Sequence, residues 1–170
     1  MKTLIIGNVG SGKTTLAKRL SEYFDIPFFS IDSIVHDDEN GGIKRKSDEQ
    51  IKIINNINRK NKEFIIEGVL RDNLDLLLNI CDNIIYLDYP KKVTLKRIKI
   101  RYLKQRLGIL KSDYKVDREM YNNFIKWNRD FDNNKLMNRL SKYSSKLLII
   151  RSNNELKKYF KYLDKNKYYL

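Results

Sequence analysis

Three of the seven glycines fall within six residues, in the run Gly7-Asn8-Val9-Gly10-Ser11-Gly12-Lys13-Thr14, directly behind an apolar stretch at residues 3–6. This arrangement constrains the fold more than any other feature of the chain. A strand that ends in a glycine-rich turn and passes straight into a helix aims several backbone N–H groups at one point. Glycine tolerates the positive φ and the close approach that such a turn needs. The helix behind it adds its unpaired N–H groups and the positive end of its dipole. The pattern G-x-x-x-x-G-K-[ST] therefore suits a triphosphate. Gly7, Asn8, Val9, Gly10, Ser11 and Gly12 form the cradle, and Lys13 reaches the β- and γ-phosphates. Thr14 offers its hydroxyl to Mg²⁺, and Thr15 adds an α-phosphate contact. The expected ligand is a nucleoside triphosphate such as ATP, with Mg²⁺.

The rest of the chain repeats the same alternation. Short runs rich in Ile, Leu and Phe lie at 27–31, 64–66, 84–87 and 147–150, and suit strands buried on both faces of a parallel sheet. Amphipathic stretches separate them. Leu16, Leu20, Tyr23 and Phe24 mark one helix, and Ser47 with Gln50 reads as a capping box before Ile51, Ile54 and Ile57. Met120, Phe124, Trp127 and Phe131 form one stripe of a long helix and read as core. Asn153 or Asn154 caps a last helix bearing Leu156, Phe160 and Leu163. The implied class is α/β: a three-layer α/β/α P-loop NTPase fold with a five-stranded parallel sheet. No proline- or serine-rich linker interrupts it, so residues 1–170 read as one domain. Asn40-Gly41-Gly42 marks a turn and a candidate hinge.

Composition narrows the function. The net charge is +14, from 35 Lys and Arg against 21 Asp and Glu, which favours polyanionic partners. Residues 91–118 alone hold eleven Lys or Arg and two Asp. The single cysteine, Cys81, excludes an internal disulfide and argues against an oxidising compartment. No uncharged apolar run approaches the ~18 residues of a membrane span, so a cytoplasmic protein without membrane contact is expected. His36 is the only histidine, with no cysteine or histidine cluster around it for a metal. Asn-Lys occurs at 61–62, 134–135 and 166–167, never with the Asp that a guanine reader needs two residues on. A small phosphotransferase or a minimal ATPase remains.

Here the chain resembles a family. Phe64-Ile65-Ile66-Glu67-Gly68-Val69-Leu70-Arg71 resembles the strand-D-G-x-x-R element of nucleoside monophosphate kinases. Leu87-Asp88-Tyr89-Pro90 followed by Arg97 and Arg101 is similar to the entry of their lid. Over nearly its whole length the sequence resembles the bacterial DNA topology-modulation protein family, adenylate-kinase-like P-loop proteins of about this length. The elements shared in order are the loop, an I-P-x-x-x-x-D segment from Ile26 to Asp32, the Glu67-Gly68 element, and the aromatic helix Phe124-Ile125-Lys126-Trp127.

The resemblance implies roles. Glu67, where Asp is usual, would hold Mg²⁺ through water beside Thr14. Arg71 would bind an anionic group on the acceptor. Arg97 and Arg101 belong to a short basic helical lid over about 97–118, one stacking on adenine and the other clamping phosphates, with Arg106 as a third candidate. Asp32, at the rim of the second strand, would orient or deprotonate an acceptor hydroxyl. Asp88 stays open as the alternative Mg²⁺ carboxylate or as an arginine partner. Ser30 to Val35 lacks the T-G-D-x-x-R pattern that grips AMP. The expected activity is transfer of the ATP γ-phosphoryl group to a small acceptor, a nucleoside or nucleotide. The alternatives are a nucleic-acid-associated ATPase that contacts DNA non-specifically, and a nucleotide-binding protein without catalysis.

Overall fold

The computed structural model describes residues 1–37, 40–110 and 117–166. β1 (Lys2–Gly7) leads into α1 (Lys13–Phe24), and β2 (Phe28–Ser30) into the short α2 (Ile31–Val35). A hairpin of β3 (His36–Asp37) and β4 (Ile43–Lys44) precedes α3 (Ser47–Lys60). β5 (Phe64–Gly68) is followed by a single 3-10 turn at Asp72–Leu74 and by α4 (Leu76–Ile80). β6 (Asn83–Leu87) leads into α5 (Lys91–Arg106), α6 (Arg118–Asp130) and α7 (Asn133–Leu140). β7 (Leu147–Ile150) and α8 (Asn153–Asn166) close the described chain.

All five predicted runs join one parallel sheet in the order β2–β5–β1–β6–β7. β1 lies at its centre, so the loop behind Gly7 emerges between the ends of β5 and β6. Alternation along the strands divides the core in two. Leu4, Ile6, Phe64, Ile66, Ile84 and Tyr86 pack with Ile31 and Ile34 of α2, Ile54 of α3, Leu77 of α4, and Leu136 and Leu140 of α7. Ile5, Ile65, Ile85 and Leu87 pack with Leu16, Ala17 and Leu20 of α1 and with Phe160 and Leu163 of α8. Strands covered on both faces need apolar residues at every position, which is why the runs are continuous. This is the expected three-layer α/β/α architecture.

Element edges depart from expectation where side chains compete for backbone groups. The second strand stops at Ser30, whose hydroxyl accepts the Asp32 N–H at 3.1 Å, so Ile31 and Asp32 open a helix. Ser47 and Gln50 make no capping box. Glu49 accepts the Lys46 N–H at 3.2 Å, and Gln50 turns inward, donating to the Arg45 carbonyl at 2.7 Å. Gln50, Ile54 and Ile57 lie on one seam of the 3.6-residue period, which rotates Ile51 to the surface. Ser152, not Asn153 or Asn154, caps α8, accepting the Glu155 N–H at 3.2 Å. Asn40-Gly41-Gly42 closes the β3–β4 hairpin, with the Gly42 N–H on the Asp37 carbonyl at 2.7 Å.

The largest departure is α6. Of its stripe only Phe131, just past the helix end, packs against the core; Met120 and Phe124 are half-buried, Trp127 is 49% exposed, and Asn128 is the helix's one buried residue. The helix packs on α5 rather than on the sheet, with Tyr121 stacked on Tyr102 at 4.4 Å between centroids. Of the lid expected at 97–118, residues 111–116 lie outside the described residues.

Candidate active site

The glycines of the loop take positive φ. Gly12 takes a left-handed conformation (φ +97°) at the start of α1, whose first turn carries no acidic residue and no side-chain cap among the described residues. The positive end of that helix is therefore left for an anion. Gly10, at φ +78°, is required for a second reason. A Cβ there would come within 2.8 Å of both Ile98 Cγ1 and the Thr94 carbonyl, so α5 lies directly against the loop. Gly68 likewise admits α2, because its Cβ would meet that of Ile31 at 2.5 Å.

Lys13 folds back over the loop, and its amine donates to the Asn8 carbonyl at 2.9 Å. Only 9% of the residue is exposed, and burial lowers the pKa of its amine to about 8. The Glu67 and Asp32 carboxylates oppose that shift, and the Arg101 charge adds to it. The Thr14 hydroxyl donates to Glu67 Oε1 at 3.0 Å. Glu67 is itself buried at the end of β5, and burial raises its pKa against the pull of Lys13 and the Thr14 hydrogen bond. A hydroxyl and a carboxylate from different elements thus meet one residue from the loop lysine.

The two arginines of α5 diverge. Arg97 donates to the Ser11 carbonyl at 2.8 Å and to Asn153 Oδ1 at 2.8 Å, with its guanidinium 4.1 Å from the Tyr89 ring centroid. Arg101 lies 4.9 Å from the Phe124 ring centroid. Both line a cavity of about 620 Å³ that also takes in residues 8–10 and 12–15, Asp32, Glu67, Arg71, the α6 residues Phe124, Trp127 and Asp130, and Phe131 just past that helix. Gly7 and Ser11 do not line it. Asp32 and Arg71 are paired at 3.1 Å, so two candidates expected to act separately hold each other.

Other candidates fall elsewhere. Asp88 accepts from the Tyr86 hydroxyl at 3.1 Å, Asn133 Nδ2 at 2.7 Å and Arg151 Nε at 3.2 Å, the arginine partnership left open by the sequence. Arg106 donates to the Tyr102 hydroxyl at 3.2 Å and does not reach the cavity. His36 is half-buried in the hairpin.

Sequence reasoning missed Asn128. Its Nδ2 donates to the Val9 carbonyl and to Thr94 Oγ1, both at 2.8 Å, and its own carbonyl accepts from Asn8 Nδ2 at 3.0 Å. One side chain ties the loop, α5 and α6 together. A polar residue in the middle of an apolar stripe, next to Trp127, was the available signal.

Comparison with known proteins bears on the fold. Residues 3–85 match the ATPase family associated with various cellular activities (AAA). A 74-residue stretch is 34% identical to the bifunctional shikimate kinase/3-dehydroquinate synthase of Thermotoga maritima, covering 44% of this chain and 15% of that protein's length. The structure of shikimate kinase from Bacteroides thetaiotaomicron superposes with a TM-score of 0.51 at 17% identity, over 89% of this chain and 85% of that one. A gluconokinase from Sinorhizobium meliloti aligns over 89% of this chain and 82% of its own, at 12% identity and a TM-score of 0.47. No helix among the described residues is long and apolar enough to cross a membrane. The chain has the α/β P-loop kinase fold.

Proposed function

We propose that the protein is a kinase that transfers the γ-phosphoryl group of ATP to a hydroxyl of a small acceptor. The observation that carries this reading is the Thr14–Glu67 hydrogen bond beside the buried Lys13, at one end of a cavity that continues to Asp32 and Arg71. In this reading residues 7–15 hold the triphosphate through backbone N–H groups, and Lys13 spans its outer phosphates.

The donor set fits Mg²⁺, a hard cation that uses one or two protein oxygens together with phosphate and water. Thr14 and Glu67 would hold it, and it would supply charge neutralisation on the phosphate oxygens. Asp32 accepts the acceptor's hydroxyl proton as that oxygen bonds to the γ-phosphorus, and the bond to the β–γ bridging oxygen breaks toward ADP. Arg101 and Arg97 stabilise the charge that develops. Arg71 orients Asp32, and its Nε, buried and without a partner among the described residues, is a donor for an acceptor oxygen.

An ADP-release screen over nucleosides, nucleotides and small alcohols tests the proposal. At least one acceptor should raise turnover above hydrolysis, and Lys13→Ala should abolish the rise. Hydrolysis unmoved by every acceptor and by Lys13→Ala would refute it.

A second reading, DNA-linked ATP turnover, is favoured by one surface feature. Lys92, Lys96, Lys99, Lys104 and Arg106 are all exposed along α5. Such a row binds phosphate backbones without sequence preference and weakens steeply with salt. Titration of labelled duplex DNA at moderate ionic strength, with ATP turnover followed in parallel, separates the two: an absence of binding and of stimulation removes this reading.

A further inference from the structure

Asn128 is fully buried, and both partners of its Nδ2 can only accept: the Val9 carbonyl, and a Thr94 hydroxyl whose proton is spent on the Lys91 carbonyl at 3.0 Å. Two acceptors on one side fix which way round the amide lies. The clasp is reciprocal, because Asn8 Nδ2 donates to the main-chain carbonyl of Asn128.

The grip falls on one peptide of the loop. No described peptide bond is cis, and in a trans peptide the carbonyl and the following N–H point opposite ways. The Val9 carbonyl is held on a side chain outside the cavity lining, so the Gly10 N–H is turned to the other side, and Gly10 itself lines the cavity. The neighbouring N–H groups are spent inside the loop, that of Val9 on Asn8 Oδ1 at 2.7 Å and that of Ser11 on the Asn8 carbonyl at 3.2 Å. Gly10 sits at φ +78°, and glycine's wide φ range lets the Val9–Gly10 plane rotate. Rotated, it would present a carbonyl where a phosphate needs a donor.

We infer that Asn128 is a positioning residue for the phosphate cradle: by holding the Val9 carbonyl from α6, 119 residues away in the chain, it keeps the Gly10 N–H turned toward the bound phosphates. This role rests on the reading of residues 7–15 as a triphosphate site. It makes nucleotide affinity depend on a side chain that does not line the cavity.

Labelling glycine alone with nitrogen-15 gives one amide signal for each of the seven glycines, and Gly10→Ala identifies that of Gly10. In the wild-type protein a non-hydrolysable ATP analogue with Mg²⁺ should move the Gly10 amide proton downfield, the mark of a new hydrogen bond to an anion. Calorimetry should show Asn128→Ala weakening the analogue about tenfold to a hundredfold, the worth of one charge-assisted hydrogen bond, with the Gly10 signal no longer moving. Thr94→Val controls for a merely structural role. It removes the other acceptor of Asn128 and leaves the Val9 contact, so it should lower stability while keeping both the affinity and the Gly10 shift. A Gly10 signal unmoved in the analogue-bound wild-type protein would overturn the inference, and that reading stands even where Asn128→Ala fails to fold. Asn128→Ala binding as tightly as wild type would overturn it too, as would Thr94→Val weakening the analogue equally. A shifted Gly10 signal with no acceptor phosphorylated would remove the kinase reading and leave this role standing. Wild-type protein giving no heat with the analogue would remove both.

Discussion

Lys13 is charged in the empty site only below a pH of about 8, against an ordinary lysine value of 10.5. Between those values the unfolded chain holds a proton that the folded chain has released, so the stability of the nucleotide-free protein should rise with pH across that window. Bound phosphates favour the ammonium, so triphosphate binding just above pH 8 should take up a proton. Calorimetry in two buffers of different ionisation enthalpy would read this. Lys13→Met should eliminate the uptake and weaken binding by roughly tenfold to hundredfold, the worth of one charge-assisted hydrogen bond. Glu67 poses the complementary case. Glu67→Gln keeps an acceptor for the Thr14 hydroxyl and removes the charge. It should lower Mg²⁺-dependent turnover by roughly 10- to 100-fold, as is usual for a group that orients a metal. Supplementary Mg²⁺ should restore part of the loss if the defect is in metal affinity.

At the scale of elements, α5 and α6 are fastened to the loop by polar contacts rather than by a shared apolar core. Asn128→Ala would leave the half-buried Val9 carbonyl and the buried Thr94 hydroxyl without their donor, and should cost about 1–3 kcal/mol in urea unfolding. Gly10→Ala tests the same joint from the other side. Its methyl group would overlap Ile98 and the Thr94 carbonyl, so α5 must retreat, and triphosphate affinity should fall along with stability. These contacts explain why the stripe on α6 was misread. A period of 3.6 identifies one apolar face, but a face turned to a sheet and a face turned to a cavity have the same period. Gln50 shows the same limit: a buried amide satisfied by Arg45 and Asn73 is indistinguishable in sequence from a solvated one.

At the scale of the whole molecule, the loop is continuous with the central strand, so occupying it should stabilise the entire fold. An ATP analogue at a hundred times its dissociation constant should add about 2.7 kcal/mol, measured as a rise in the urea midpoint that Lys13→Met suppresses. Cys81 offers an independent probe. It is 1% exposed in the core beneath β6, and burial pushes its thiol up to about 12, so alkylation should require opening of the fold and slow when the analogue is added. The local grammar of the chain determined the strands, the order of elements, the loop and its lysine, because each depends on residues near in sequence: continuous apolar runs, glycines at fixed offsets, a helix start. Tertiary structure alone decided that Glu67 faces Thr14, that Arg71 is engaged with Asp32, that Asn128 reaches the loop across 119 residues, and that the aromatic stripe borders a cavity. Those facts arise where separate elements meet. Their physical origin is the packing of helices against the loop, the strand ends and one another, which no periodicity along the chain encodes.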